Sequence, residues 1–484
     1  MNEFDMVSPL DYRYYAVDNQ LRARLQPYVS EEAQVQYCLR VECALVRSLA
    51  MLGLAPLEVA SDVDRAVKDI RADEVYEEEK RTRHNVRALV NCIARRVGEE
   101  TKPYVHLFTT SCDITDTATA LRFKELFRDV IEPDAIELGE VIASTAEREA
   151  DTVQIGRTHG KHAEPITFGH ALALYLDRLG QRIQQMEAAR KNLRGKLSGA
   201  VGCYSSMSLA FPDDPTVVET KALALLGIEP AQNRMCSQIV QPEYVTDLVH
   251  ATVSTFSILA QIADDVRQLS RSEIEEVYER YAEDQVGSST MPHKRNPRSF
   301  ENVKSLWKEF MPRMTTLYMD QISEHQRDLT NSASSRFVSE LFTAFDYSVT
   351  RMTGALRELE VDREAMLSNL KRSENYIIAE PLYILLALSG YSKAYDAARR
   401  LVNQARGTRQ PLIELVMHDR DVAPYFDRLS RSQKEVLADP RKYTGAASAL
   451  TYRTCSSWRS AFRELLTSLS NERHAKFDLM KATK

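Results

Sequence analysis

The chain has 484 residues, 44% of them hydrophobic and 27% charged, with a formal net charge of −6 and a pI near 6.0. That length carries roughly two to four domains and a sizeable core. The slight acidity excludes a surface that binds nucleic acid or membrane over its whole extent, so an anionic substrate would need a local basic cleft.

Seven scattered cysteines (Cys38, Cys43, Cys92, Cys112, Cys203, Cys236 and Cys455) include no C-x-x-C, which argues against a disulfide framework or a zinc ribbon. The opening "MNEFDMVSPLDYR" is acidic and polar, unlike a secretory signal. No run of about 18 apolar residues marks a membrane helix. A reduced, cytoplasmic protein is expected. Sixteen glycines and 17 prolines favour long uninterrupted elements over many turns.

In chain order, the first strong pattern is "SEEAQVQYCLRVECALVRSLAMLG". Ser30 reads as an N-cap, followed by two glutamates in the first turn. Val35, Leu39, Cys43, Val46 and Leu49 form an apolar stripe at helical spacing, and Gly53 ends it. Further helices are expected over Ile136–Asp151 and Gly169–Leu197. Residues 202–215, "GCYSSMSLAFPDDP", read as a loop with room for a short hairpin. From Glu243 to Val286 neither Gly nor Pro occurs, and apolar residues recur every three or four positions. A helix over that whole span would be roughly 65 Å long. A second such run covers Arg313–Thr353. A break between Asp362 and Glu380 starts a C-terminal helical segment. No alternating strand series appears, so the fold class is all-α. Three helical domains are expected: 1–111, a long-helix bundle over 112–364, and 365–484.

The common nucleotide and metalloprotease motifs are missing: G-x-G-x-x-G, Walker A and H-E-x-x-H. "HGKH" (His159, His162) has metal-like spacing but no third ligand nearby, so no metal is expected, and the missing nucleotide motifs leave a dinucleotide cofactor unsupported. Chemistry concentrates in four polar segments: "TRHNV" (82–86), "HLFTTSCDITDTA" (106–118), "GRTHGKHAEPITFG" (156–169) and "GSSTMPHKRNP" (287–297). Hydroxyls and backbone N–H groups at helix starts suit carboxylates and phosphates. Each segment alone has a plainer reading: a helix cap, a solvated face, or a linker. Their joint occurrence between long helices outweighs it.

"GSSTMPHKRNP" closely resembles the signature G-S-S-x-M-P-x-K-x-N of the fumarase/aspartase superfamily, and the second and third segments resemble its other shared regions. "SPLDYRYY", "TRHNV" and above all "HQRDLTNSASSR" (325–336) narrow the resemblance, which extends to "YTGAASAL" near the C-terminus, to the branch that cleaves succinylated purine nucleotides. It covers nearly the whole chain. It implies a homotetramer around a twenty-helix core, with each active site drawn from three subunits. It implies β-elimination of fumarate from adenylosuccinate, giving AMP, and from the succinyl-carboxamide imidazole ribotide of purine synthesis. Argininosuccinate is the alternative substrate. A helical scaffold or a structural protein would need none of these segments.

By the same resemblance, Ser288 is the base and His159 the acid, with Glu301 orienting His159. Lys294 and Asn296 hold the carboxylate whose charge grows. A serine hydroxyl is a poor base unless its alkoxide is stabilised, which a loop rich in backbone N–H groups could do. Thr110, Ser111, Thr158 and Gln238 grip the succinyl part, with His84 among the catalytic residues and His106, Ser289 and Met291 lining the site. Arg327, Ser332 and Arg336 suit a phosphate monoester, and Arg13, Tyr14, Arg83 and His84 complete the nucleotide end, with Asn85 also among the substrate-binding residues. One departure stands out: the family usually carries Asp where this chain has Asn85.

Overall fold

The order of helices follows from where the chain can cap and where it must bury an apolar stripe. The computed structural model describes residues 6–282, 284 and 286–482, with side chains to residue 474. Residues 1–5, Glu283 and Gln285, which fall within ranges assigned above, and residues 483–484 lie outside that description. Helix α1 (Glu31–Met51) starts where Ser30 Oγ accepts the Ala33 N–H at 3.1 Å. Val35, Leu39, Val46 and Leu49 are buried along it, and Cys43 partly so. Helices α2 (Ala72–Thr82) and α3 (Asn85–Ala94) meet at a left-handed Arg83. Helix α4 (Ser111–Leu126) begins in a reciprocal cap between Thr110 and Asp113.

The centre is a bundle of α5 (Glu132–Arg148), α6 (Phe168–Lys191), α7 (Glu243–Leu269), α8 (Arg298–Phe310) and α9 (Val338–Arg357). Edge-to-face rings fill it. Phe342 stands against Phe123 at 4.9 Å and Phe127 at 4.8 Å, and Phe256 against Phe345 at 5.6 Å. A second, smaller core lies within 378–437, built on Leu382, Leu386, Leu401, Leu412 and Val416. The last helix, α10 (Ala447–Ala482), packs back onto α5 and α6, burying Cys455, Phe462 and Leu469 in the main core.

Three expectations are corrected. The helix from Glu243 ends at Leu269 rather than near Val286, so it spans about 40 Å. Ser270 turns its hydroxyl back to the Val266 carbonyl, Glu275 takes a left-handed conformation, and Val277–Tyr278 pairs with Glu360–Val361. The run Arg313–Thr353 is broken between Met319 and Val338. There the Asp328 carboxylate accepts the Glu324 and Thr330 N–H groups at 2.8 Å each, and Asn331 donates to the Asp320 carbonyl at 2.6 Å, which satisfies the backbone without a helix. Residues 202–215 form no hairpin, only a helical turn at Met207–Leu209. A hairpin occurs instead where none was anticipated: β1 (Val153–Thr158) pairs antiparallel with β2 (Lys161–Thr167) between α5 and α6. Helix α7 is long and apolar enough to cross a membrane by composition, but 67% of its apolar window is buried inside the bundle.

Gly169, at the start of α6, packs against the end of α5. A Cβ there would collide with the Ala146 carbonyl oxygen and with the backbone of Ala150. Backbone cannot yield as a side chain can. We expect Gly169→Ala to cost about 1–3 kcal/mol, measured as a lowered urea midpoint at unchanged slope. A variant as stable as wild type would contradict this packing.

Candidate active site

The predicted site residues fall into two groups at opposite ends of the bundle. At the end where α7 begins, the start of α4 is fastened by a buried carboxylate. Asp113 accepts the Ser198 and Gly199 N–H groups at 3.0 and 3.1 Å and pairs with the fully buried Lys196 ammonium. This fixes Thr110 and Ser111 against the loop at 196–199. His84 caps α3 by accepting the Arg87 N–H on Nδ1 at 3.2 Å, and its Nε2 lies 3.3 Å from Ser111 Oγ. An Nδ1 that accepts leaves the ring proton on Nε2, so His84 donates to Ser111. Ser111 keeps its own O–H free to donate to a ligand oxygen.

The same end gathers further groups. The Gln238 N–H donates to the Gln326 carbonyl at 3.3 Å, and the Val240 N–H to Asp116 at 3.1 Å. These bonds lay the 232–241 loop beside the segment carrying Arg327, Ser332 and Arg336. Arg327 is close enough for its charge to act on Asp116 and Cys112, and its buried Nε has no hydrogen-bond partner. Burial pushes the Asp116 carboxyl up to about 6, against the pull of the Val240 N–H and the Lys196 and Arg327 charges. His106 sits in a left-handed turn with Nδ1 2.7 Å from Glu42 and 3.1 Å from Thr109 Oγ1. Arg336 lies near Tyr76 of α2. Tyr14 stacks edge-on against Tyr347 of α9 at 5.1 Å. Arg13, Arg83, Asn85, Ser332 and Arg336 are exposed.

The other end holds the remaining chemistry. The β1–β2 turn is the two-residue step His159–Gly160, with φ of 53° and 72°, flanked by the Thr158–Lys161 pair. A turn with both central residues at positive φ matches strand twist and explains the glycine. It leaves His159 exposed at the tip. The hairpin is pinned through Glu276, which is fully buried. Glu276 accepts from Gln154 at 2.7 Å, from Arg157 at 2.6 and 3.1 Å, and from Asn369 at 2.8 Å. His162 Nδ1 meets Ser373 Oγ at 2.7 Å.

From Glu276 the chain runs on to the signature loop. Ser288 Oγ accepts the Met291 N–H at 3.0 Å and the Thr290 N–H at 3.3 Å. Two N–H donors on one hydroxyl oxygen favour its anionic form. The Asn296 side chain donates to the Gly287 carbonyl at 3.0 Å. Tyr281 OH bridges the Asn296 carbonyl at 2.6 Å and the Asn296 N–H at 2.9 Å. Ser289, Met291 and Lys294 are exposed. Glu301, in the first turn of α8, lies 3.9 Å from Arg267 near the end of α7.

Gln238 precedes α7 and Arg267 closes it, so the two groups stand about 40 Å apart. The chain places His84, Ser111, Gln238 and Arg327 at one end, and His159, Ser288, Asn296 and Glu301 at the other. It does not join the two. The sequence points to Asp113 within its polar segment but not to its fastening role, and it does not single out Glu42, Asp116, Lys196 and Glu276. All but Asp116 are fully buried charges, a class that is nearly always paired.

Comparison with known proteins places this arrangement. A family model described as "Lyase" matches residues 13–309, and one described as "Adenylosuccinate lyase C-terminal" matches residues 323–437. The structure is similar to a 3-carboxy-cis,cis-muconate lactonizing enzyme from Pseudomonas putida, with a TM-score of 0.79 at 25% identity, covering 91% of this chain and 98% of that one. It shares its fold with a fumarate lyase from Mesorhizobium sp. BNC1, with a TM-score of 0.78 at 23% identity, covering 91% and 98%. Helical bundle and signature together define a lyase of the fumarase/aspartase superfamily. An adenylosuccinate lyase of Pyrococcus abyssi is 36% identical over 91% of this chain and 95% of its own, and one of Bacillus subtilis 30% identical over 87% and 95%. The chain belongs to the adenylosuccinate lyase family, a family of C–N lyases.

A Cβ on Gly287 would run into the Lys294 carbonyl oxygen, the contact that closes the signature loop on itself. Gly287→Ala should open the loop and misplace Ser288. We expect turnover to drop about 10²-fold while the melting temperature stays within a few degrees, read by a steady-state assay beside a thermal melt.

Proposed function

We propose that this protein cleaves adenylosuccinate to AMP and fumarate, and the succinyl-carboxamide imidazole ribotide to the carboxamide ribotide and fumarate. The sites would be assembled from three copies of a cytoplasmic homotetramer. The observation that carries the chemistry is the pair of N–H donors on Ser288 Oγ, the arrangement an alkoxide base requires. In this reading Ser288 takes the proton from the succinyl carbon next to a carboxylate. Lys294 and Asn296 hold that carboxylate as it gains charge, the C–N bond breaks, and His159, oriented by Glu301, protonates the leaving nitrogen. Thr110, Ser111, Thr158 and Gln238 grip the succinyl group, and Ser289 and Met291 close over it.

The nucleotide end supports the choice of substrate. Arg327 has a buried, unpartnered Nε, Arg336 and Ser332 of the same segment are exposed, and so is Arg13, as groups that await an anion are. Tyr14, Arg83, His84 and Asn85 complete that end. Argininosuccinate has no phosphate for these arginines. The separation of the two groups within one chain supports shared sites.

Incubating the purified protein with adenylosuccinate should release AMP and fumarate in equal amounts. A folded protein that yields neither would sink the reading. Lys294→Ala should lower kcat by about 10²–10³-fold without loss of fold. Ser288→Ala and His159→Ala should each be inactive alone and should regain part of the activity when mixed and allowed to exchange subunits. Exchange without recovery would rule out a site that takes Ser288 and His159 from different copies.

A further inference from the structure

Helix α1 carries a charge that its own packing does not explain. Glu42 lies between Leu39 and Val46 on the buried face, with no side-chain exposure. One oxygen meets His106 Nδ1 at 2.7 Å, and the other is buried with no hydrogen-bond partner. A carboxylate placed this way is tolerated only against a cation, because taking it out of water unpaired is costly. His106 supplies the one ring nitrogen that reaches it. The backbone at His106 is held in the left-handed region, φ 61°, and the Thr109 hydroxyl also lies against Nδ1. A non-glycine residue persists there only when its surroundings fix it.

The pair sits at the end of the bundle where the ligand-binding groups gather. His106 is five residues before Ser111 and keeps 21% of its side chain open. The charges that face it come from every helix packed there: Glu42 on α1, Asp113 on α4 and Arg87 on α3.

We propose that Glu42 is a positioning residue for substrate binding: its buried carboxylate fixes the ring of His106 as its ion-pair partner and thereby holds a cation for an anionic oxygen of the substrate. The proposal rests on the reading that this end binds adenylosuccinate. The anion is either the phosphate or a succinyl carboxylate, and the two are separable by product inhibition. Burial pulls the His106 ring toward its neutral form, but the hydrogen bond and charge of Glu42, helped by Asp113 and opposed by Arg87, more than offset this and hold the imidazole above its usual range. The sign follows. The cation is present below that raised pKa and lost above it, so KM for adenylosuccinate should rise as pH climbs through it.

The test is Glu42→Gln, which keeps the shape and the hydrogen bond but removes the charge. At the pH where wild type shows its lowest KM, we expect KM for adenylosuccinate to rise about tenfold, as loss of one charge-assisted hydrogen bond to the substrate would cause, with kcat changed by less than about twofold and the rise in KM moved to lower pH. If the phosphate is the partner, inhibition by AMP weakens and inhibition by fumarate does not. If a carboxylate is the partner, the reverse holds. A second measurement stands apart from activity and from the variant's folding: imidazole-labelled wild type, with His106→Gln to assign the resonance, should show His106 titrating above the ordinary 6.5. Unchanged KM and unchanged inhibition by both products would overturn the proposal, as would a His106 that titrates at or below 6.5. A protein that releases neither AMP nor fumarate would instead count against the function proposed above, and the titration would still decide the role of Glu42.

Discussion

A straight α-helix cannot bring its two ends together, and this constraint organises everything else in the molecule. At 1.5 Å per residue, α7 alone separates its ends by about 40 Å. Its middle is committed to the core through Leu248, Val249, Phe256, Leu259 and Ile262. Polar chemistry is therefore confined to the ends of the bundle, where helix caps and connecting loops expose backbone N–H groups and charged side chains. The two ends differ in kind. One is rich in arginine, hydroxyls and a capped helix N-terminus. The other carries a histidine on a tight turn and a serine in a ring of N–H donors. Antiparallel packing of such helices between copies would lay unlike ends side by side, as the proposed shared site requires.

Buried charges do the fastening at both ends. Asp113 with Lys196 holds the start of α4, Glu276 with Arg157 holds the hairpin, and Glu42 with His106 holds the turn before α4. Arg190, also fully buried, joins Glu132 of α5 to Glu472 of α10 and so ties the last helix to the bundle. Burial pushes the Glu132 carboxyl up to about 7 in spite of Arg190. Pairs of this sort add little net stability over well-packed apolar residues, but losing one partner typically costs about 3–5 kcal/mol, because the other stays buried and unpaired. Their value here is directional. A hydrophobic contact would keep the hairpin against the bundle, whereas Glu276, with acceptor bonds to three side chains, also fixes where it points.

Most of the helical content could be read from periodicity, and the polar segments could be found as interruptions of it. The failures have physical causes. The stripe on α1 shows Val35, Leu39, Val46 and Leu49 correctly, yet spacing of four, three, four and three puts Glu42, not Cys43, at its centre. A charged residue on an apolar face was the available sign of the ion pair, and it passes unnoticed when only apolar residues are counted. Absence of Gly and Pro alone does not make a helix continuous. Asp328 and Asn331 end a helix just as well by bonding the backbone themselves. The hairpin was hidden because its strands are short and its alternation mixed, with tertiary bonds to Glu276 deciding the outcome. The split of the site between two ends cannot be read from sequence order at all, since it depends on how helices stack.

The same geometry bears on the one departure from the family pattern. Asn85 is the first residue of α3, and its side-chain oxygen is taken by the Val86 N–H at 2.8 Å. The neighbouring His84 has Nδ1 engaged by the Arg87 N–H and Nε2 directed at Ser111. Both ring nitrogens of His84 are thus oriented by groups other than residue 85. A carboxylate at this position would add negative charge at a helix N-terminus, where the backbone dipole favours it by only a few tenths to about 1 kcal/mol when exposed, but would not change which nitrogen carries the proton. Asn85 can therefore replace it without disturbing the His84–Ser111 contact. The absence of a carboxylate leaves one negative charge fewer at the end proposed to bind the nucleotide, and in that respect suits the binding of an anion there.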